Sequence, residues 1–185
     1  MNIYSKYRNK KDPDKILIVE HFSIFTKGNL DKLNNFVIQH NIMLLKINRG
    51  GKFTFHTPGQ IIFYILLNIK RLKITIYKLI NILEKNIINI LFYHKIKAYT
   101  KTHHGVYILL QNKEYKIASV GLCINKGCSL HGVSYNVNYE KKLFKNINPC
   151  GLVNIKMIKL TDIYKYPINF KLEAQVWIKG FLNKI

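Results

Sequence analysis

One short segment of this chain concentrates residue types that can form a ligand site. Residues 49–60 read RGGKFTFHTPGQ and hold two adjacent glycines, a histidine and a Pro-Gly pair. Gly50 and Gly51 allow a ligand to approach the backbone closely, because neither has a Cβ atom. The Pro-Gly pair predicts a turn before the apolar run that follows it. We therefore expect His56 to lie beside this turn, within a site.

Three later segments complete the pattern. They are KIASVG at residues 116–121, GCSLHGVSYNVN at 127–138 and NPCG at 148–151. Together with residues 49–60, their order and spacing resemble those of the lipoyl(octanoyl) transferases, enzymes that move an octanoyl group from acyl carrier protein to a lysine of a lipoyl domain. The resemblance covers most of the chain, from about residue 20 to residue 157.

The resemblance assigns the catalytic roles to Cys150 and Lys116. Cys150 would hold the acyl group as a thioester, and Lys116 would lower the pKa of the thiol and move the proton. A free thiol has a pKa of about 8.5, and a neighbouring ammonium favours the thiolate. The implied reaction needs no nucleotide, metal or other cofactor. The implied partners are octanoyl-acyl carrier protein as donor and, as acceptors, the lipoyl domains of 2-oxoacid dehydrogenases and the glycine cleavage H protein.

The same resemblance implies that three of the segments line the acyl pocket. Small residues on adjacent strands leave room for an eight-carbon chain, and their N–H groups can face the thioester oxygen. The implied pocket residues are Arg49, Gly50, Gly51, Lys52, Phe53, Thr54, Phe55, His56, Ser119, Val120, Gly121, Gly132, Val133 and Ser134. One departure lies in EHFSIFTKG at residues 20–28, where Phe22 and Ser23 replace two prolines of the family.

Each of these residues also has a structural interpretation. Cys150 could be an inert buried residue, and Lys116, one of many lysines, could be a solvated surface charge. His56 could be a core histidine bound to the backbone, and Arg49 could pair with an acidic residue. We expect His131 to be structural.

Two further groups resemble metal ligands only loosely. Cys123 and Cys128 lack the paired CxxC spacing of structural zinc sites. His103 and His104 have no partner ligands at helical or strand spacing. The sequence therefore predicts no metal site.

The formal charge of +21 raises the possibility of nucleic-acid binding. Only three of the 30 basic residues are arginine, the residue that supplies bidentate base and phosphate contacts. We therefore expect no nucleic-acid site, and we expect the basic surface to speed encounter with acidic protein partners. Two alternatives stay open. One is a basic scaffold without chemistry, and the other is an ATP-dependent lipoate or biotin protein ligase, which uses a lysine at the position of Lys116 and does not need Cys150.

The chain length of 185 residues fits one domain. We expect a flexible N-terminal arm at residues 1–14 and an octanoyltransferase catalytic domain at 15–185. The apolar run at residues 61–67 is too short to cross a bilayer, and the first residues lack the apolar core of a signal peptide. Three cysteines, an odd number, argue against a disulfide framework. These features predict a cytoplasmic protein that does not contact membranes.

Hydrophobic periodicity predicts both strands and helices. Apolar residues recur at helical spacing over residues 74–92, and a closing helix is expected at 172–182. Strands are predicted at residues 16–20, 36–39, 42–48, 105–110, 115–124 and 131–138, with a hairpin turn at QNKE. This pattern indicates a single α+β domain with mixed or antiparallel sheets packed against helices. The family resemblance implies a fold similar to the catalytic domain of lipoate and biotin protein ligases.

Overall fold

The computed structural model describes residues 13–29, 42–140 and 156–185. In these residues the chain forms an α+β domain with a seven-stranded sheet, a three-stranded sheet and two α-helices. The predicted fold class is confirmed. The first 12 residues of the predicted arm, the strand predicted at 36–39 and the NPCG segment lie outside the described residues.

The described strands fall into a large and a small sheet. They are β1 (Lys15–Val19), β2 (Ile24–Lys27), β3 (Leu44–Lys46), β4 (Phe53–His56), β5 (Gln60–Leu66), β6 (Tyr99–Thr100), β7 (Gly105–Leu110), β8 (Lys113–Asn125), β9 (Cys128–Asn136) and β10 (Lys156–Met157). The large sheet has the order β1-β5-β9-β8-β7-β6, and β10 pairs in parallel with β8. The small sheet has the order β3-β2-β4.

Two helices pack against the large sheet, α1 (Ile76–Tyr93) and α2 (Phe170–Leu182). Both agree with the helical periodicity of the sequence. Each begins at a polar cap, because the side chains of Thr75 and Asn169 accept hydrogen bonds from backbone N–H groups in the first turn. Within the described residues, neither helix has the length and hydropathy that a membrane span requires.

Strands β7 and β8 form the antiparallel hairpin predicted around the QNKE turn, and β9 pairs antiparallel with β8. Gln111 and Asn112 make that turn with φ values of 48° and 58°, as a two-residue hairpin turn of the primed type requires. Strand β8 is 13 residues long. Its first half pairs with β7 and its second half pairs with β9, so β8 connects these two strands in the sheet.

A glycine allows α1 and α2 to pack closely. A Cβ atom at Gly180 would lie 2.5 Å from Asn86 Oδ1. Asn86 is buried, and its Nδ2 donates to the carbonyl oxygen of Trp177 at 2.7 Å. Trp177 in turn stacks on Phe63 of the sheet, with ring centroids 4.0 Å apart. The helix pair is therefore joined to the sheet through Asn86 and Trp177.

We expect Gly180→Ala to lower the free energy of unfolding by about 2 kcal/mol, since overpacking and unpaired buried polar groups cost about 1–3 kcal/mol each. The gain in helix propensity, about 1 kcal/mol, is smaller than this loss. Urea denaturation measures the change. Lys179→Ala, at an exposed neighbouring position, is the control. Asn86→Ala should recover part of the loss in the double variant, and purely additive losses would contradict a direct clash.

Candidate active site

A cavity of about 630 Å³ is lined by residues of both sheets and of the start of α1. Its volume is typical of small-molecule sites. The predicted site residues in its wall are Arg49, Gly50, Gly51, Lys52, Thr54, His56, Lys116, Ser119, Val120, Gly121, Gly132, Val133 and Ser134. Phe53 and Phe55 lie elsewhere, buried with Phe25 and Tyr139 in a separate small hydrophobic cluster.

Small residues stand opposite one another where β8 and β9 pass the cavity. Ser119 pairs with Ser134, and Gly121 pairs with Gly132. Because side chains alternate along a strand, these four residues share one face of the sheet. The two glycines allow other backbone to approach this face, since a Cβ atom would lie 3.2 Å from the Gly50 carbonyl oxygen at Gly121 and 2.0 Å from the Phe63 carbonyl oxygen at Gly132. In the described part of the chain, the Ser119 hydroxyl is buried without a hydrogen-bond partner.

The paired glycines before β4 bring the small sheet onto the large one. Gly50 N–H donates to the Leu122 carbonyl oxygen at 2.9 Å, and a Cβ atom at Gly50 would lie 2.8 Å from that oxygen. Gly51 has a φ of +84°, a conformation that favours glycine. The glycines thus close the cavity by allowing two backbones to meet.

Arg49 holds this loop against β2. Its side chain is buried, and its guanidinium donates to both the hydroxyl and the carbonyl oxygen of Thr26. It also donates to the Gly50 carbonyl oxygen at 3.0 Å. Arg49 therefore positions the loop while contributing a positive charge to the cavity wall.

The Pro-Gly turn lies where the sequence predicts it. Gly59 has a φ of +93°, and a Cβ atom there would lie 2.2 Å from the Asn138 carbonyl oxygen. Its N–H donates to the Glu20 carboxylate at 2.5 Å. This contact joins residues 20–28 to the turn, and Phe22 of the same segment is 91% exposed.

A chain of hydrogen bonds fixes the proton position of His56. Asn136 Nδ2 donates to the Ile158 carbonyl oxygen, so Asn136 Oδ1 accepts from Gln60 Nε2 at 2.9 Å. Gln60 Oε1 then faces His56 Nδ1 at 3.3 Å, and this nitrogen must carry the proton. Burial, followed by the charge of Arg49, lowers the pKa of His56 to about 3. The ring is neutral at pH 7, with Nε2 as an acceptor.

Four other described histidines lie in the cavity wall: His103 and His104 are exposed, whereas His21 and His131 are more buried. His21 Nε2 is 2.5 Å from the Tyr64 hydroxyl, and His131 Nε2 is 2.7 Å from the Asn48 carbonyl oxygen. Burial is the largest cause that lowers the pKa of each. The bond to Asn48 gives His131 the structural contact that the sequence predicts. In residues 13–29, 42–140 and 156–185, no histidine, cysteine or acidic side chains form a group able to hold a metal ion.

Lys116 lies in the cavity wall but is only 3% exposed. Its Nζ donates to the His104 carbonyl oxygen at 3.0 Å and lies 5.1 Å from the centre of the Tyr107 ring. A lysine on a solvated surface would not have this burial. The amine is therefore held in one place, at the edge of the small-residue face.

A β-bulge places Lys116 and Ser119 on the same cavity. Val106 of β7 lies opposite Ala118, whereas the next residue, Tyr107, lies opposite Lys116. Strand β8 therefore has one residue, Ile117, more than its partner at this point. On a regular strand, residues three apart point to opposite faces. The extra residue in β8 shifts this alternation by one position, so Lys116 and Ser119 both face the cavity.

Comparison with known proteins identifies the family. The model of the lipoyl protein ligase A/B catalytic domain matches residues 2–182. The octanoyltransferase of Shewanella halifaxensis is 42% identical over 164 residues, which cover 88% of this chain and 73% of that protein. The chain belongs to the lipoyl protein ligase A/B family. Within it the chain is similar to the octanoyltransferases, and the enzyme is an acyltransferase.

Solved structures of family members and relatives share the fold. A bipartite lipoate protein ligase from Thermoplasma acidophilum is 15% identical, with a TM-score of 0.69 over 98% of this chain and 74% of that one. The biotin protein ligase of Aquifex aeolicus, in complex with biotin and ATP, is 17% identical, with a TM-score of 0.58 over 86% and 66% of the two chains. The predicted similarity to the ligase catalytic domain is confirmed.

The predicted nucleophile of this octanoyltransferase, Cys150, lies outside the described residues. Cys123 and Cys128 are described, and neither lies in the cavity wall. Cys128 is buried, and burial raises the pKa of the Cys123 thiol, which disfavours its thiolate. The described cysteines therefore offer no rival nucleophile at the cavity.

Sequence reasoning missed one charged residue beside Lys116, the buried Glu84 of α1. A signal was present, because Glu84 lies four residues after Ile80 and three before Ile87, on the apolar side of the helix. An acid on that side is costly to bury unless it has a partner.

Proposed function

We propose that this octanoyltransferase works through a covalent cysteine intermediate. An octanoyl group passes from acyl carrier protein to Cys150 and then to a lysine of a lipoyl domain, while Lys116 moves the proton in both halves of the reaction. The observation that supports this most is Lys116, a lysine that is only 3% exposed and lies in the cavity wall beside the small residues of β8 and β9.

In the first half, the Cys150 thiolate attacks the carbonyl carbon of the octanoyl thioester. A new C–S bond forms to Sγ, and the C–S bond to the carrier breaks. The departing carrier thiolate takes a proton from the Lys116 ammonium. The products are free carrier, octanoyl-Cys150 and a neutral Lys116 amine.

In the second half, the acceptor lysine of the lipoyl domain loses one proton to water and attacks the acyl carbon as an amine. A C–N bond forms as the C–Sγ bond breaks. Lys116 takes the second proton from the new amide nitrogen as general base. Cys150 leaves as a thiolate, which restores the thiolate and ammonium pair.

The chain path supports the pairing of these two residues. Strand β10 begins six residues after Cys150 in the sequence, and it pairs directly with the part of β8 that contains the lysine. Its two residues lie opposite Tyr115 and Lys116. The described chain therefore resumes beside the backbone of Lys116, six residues after Cys150.

The cavity suits an apolar acyl chain with a polar head. Ile62, Ile80 and Val133 contribute apolar surface to the cavity wall, which also contains the small residues of β8 and β9. The Ser119 hydroxyl, which is buried without a hydrogen-bond partner among the described residues, is a donor suited to the oxygen on which negative charge develops.

Charge supports acidic protein partners. A net charge of +21 favours encounter with acidic carrier and acceptor domains, including the lipoyl domains of 2-oxoacid dehydrogenases and the glycine cleavage H protein. The odd number of cysteines fits the reducing cytoplasm, where we place the enzyme.

An assay without ATP tests the proposed donor. Octanoylation of a lipoyl domain from octanoyl-carrier should proceed without ATP or Mg²⁺, because the acyl group is already activated. Free octanoate should be inert even with both present. Mass spectrometry of the lipoyl domain measures each transfer. Transfer from octanoate that depends on ATP and survives Cys150→Ala would instead indicate a ligase.

A further inference from the structure

The peptide group between His104 and Gly105 is bonded at both ends to charged side chains. Its carbonyl oxygen accepts a hydrogen bond from Lys116 Nζ at 3.0 Å. Its N–H group donates to Glu84 Oε1 at 2.7 Å. One amide thus links a carboxylate to the proposed catalytic amine, with its dipole oriented favourably toward both charges.

Glu84 is unusual for its position on α1. It is only 5% exposed, and burial raises the pKa of its carboxyl group. The Gly105 N–H, the His104 ring and the Lys116 charge act in the opposite direction. The His104 Nδ1 atom lies 3.4 Å from Glu84 Oε1. Glu84 therefore contacts His104 and Gly105, the same two residues whose shared peptide group bonds to Lys116.

Gly105 is adapted to this arrangement. Its φ is +139°, a conformation that other residues rarely adopt. A Cβ atom would lie 2.4 Å from Lys116 Cε and 2.6 Å from the Ala118 carbonyl oxygen. The peptide can therefore approach the lysine only because residue 105 has no side chain.

We propose that Glu84 is a positioning residue that holds Lys116 in place through the His104–Gly105 peptide. The inference rests on the proposed function, because it assumes that the Lys116 amine moves the proton. Glu84 does not touch the reacting atoms. It fixes the carbonyl oxygen to which the ammonium is bonded, so the amine points into the cavity with little freedom to rotate away.

Two substitutions at this position separate geometry from packing. Glu84→Leu fills the same space but offers Gly105 no acceptor, and we expect kcat to fall by about 10- to 100-fold, the usual cost of misplacing a catalytic group. KM for both substrates should be unchanged. Glu84→Gln keeps an oxygen acceptor, and it should restore kcat to within about 10-fold of the wild type, since a single neutral contact is retained.

The other buried glutamate of a helix provides a matched control. Glu173 of α2 is 7% exposed and bonds to His94 Nε2 at 2.7 Å, as Glu84 faces His104. Glu173→Leu should leave kcat unchanged at temperatures where the protein is folded. An equal loss of kcat in Glu173→Leu, or a Glu84→Gln variant as slow as Glu84→Leu, would overturn the inference.

Nuclear magnetic resonance of protein labelled with ¹⁵N-lysine gives a readout that does not depend on activity. The Lys116 Nζ signal is identified by its loss in Lys116→Arg. We expect it to shift and broaden in Glu84→Leu and to persist in Glu84→Gln. If Lys116→Ala is inactive but Glu84→Leu changes neither signal nor kcat, the inference fails alone. If Lys116→Ala is fully active, the proposed function fails, whatever the spectra show.

Discussion

Replacement of Lys116 by alanine is expected to lower kcat for octanoyl transfer by about 10²- to 10⁴-fold, the usual contribution of a positioned acid or base. The variant loses the group that protonates the departing carrier and deprotonates the amide nitrogen. Because the amine is buried and held by the His104 carbonyl oxygen, water cannot readily take its place. Steady-state kinetics with octanoyl-carrier and a lipoyl domain measure the effect.

An arginine variant distinguishes proton transfer from charge. Lys116→Arg keeps a cation, but a guanidinium does not release its proton near neutral pH, so its loss should approach that of alanine. Lys113→Ala, at an exposed lysine of the same strand, is the matched control and should be nearly as active as the wild type. A fully active arginine variant would limit Lys116 to an electrostatic role.

Replacement of Cys150 by serine is expected to abolish both transfer and the acyl-enzyme. An alcohol has a far higher pKa than a thiol, so a lysine suited to a thiol cannot activate it. Intact-protein mass spectrometry should show an octanoyl adduct after the wild type is mixed with octanoyl-carrier. The serine variant should show none.

The other two cysteines provide the controls for this experiment. Cys123→Ser and Cys128→Ser should keep most of the activity and the adduct, because neither residue lines the cavity. Cys128 is buried, so its variant should be compared at a temperature where it is folded. Equal activity in all three variants would rule out a covalent intermediate on Cys150.

Elements with strong local signals were predictable from sequence. Helix α1 follows from its apolar repeat, and the hairpin between β7 and β8 follows from alternation on both sides of a short polar turn. The turn at Gly59 follows from the Pro-Gly pair. In each case the decisive interaction lies within a few residues along the chain.

Phe53 and Phe55 differ from the expectation that the family resemblance gave for their positions. The family resemblance implied that all of residues 49–56 line the pocket. In β4, however, Thr54 and His56 line the cavity while Phe53 and Phe55 are buried in the small cluster. Successive side chains of a β-strand point to opposite faces of the sheet. The sequence alone therefore predicts that Thr54 and His56 share one face while Phe53 and Phe55 share the other.

Features that depend on contacts between distant segments were not predictable. The bulge at Ile117 exists only because β7 pairs with β8 in a particular register. The contact of Glu84 with Gly105 joins residues 21 apart, through a backbone N–H that has no residue-specific signature. A sequence shows which residues could bond, but only the packing of α1 against β7 selects this pair.

The bulge in β8 makes the active site sensitive to the number of residues in the strand. Ala118 and Ile117 face the apolar core, and exchange for another apolar residue there would leave the Lys116 amine on the cavity side. Without the bulge, at the same spacing of three residues between Lys116 and Ser119, one of the two would turn to the core face. Loss of one residue between them together with the bulge would instead keep both on the cavity face, because residues two apart in a regular strand share a face. Substitutions in this stretch are thus open to drift, whereas the spacing can change only together with the bulge. Structures of related enzymes should therefore show either this spacing with the bulge or a spacing of two residues without it.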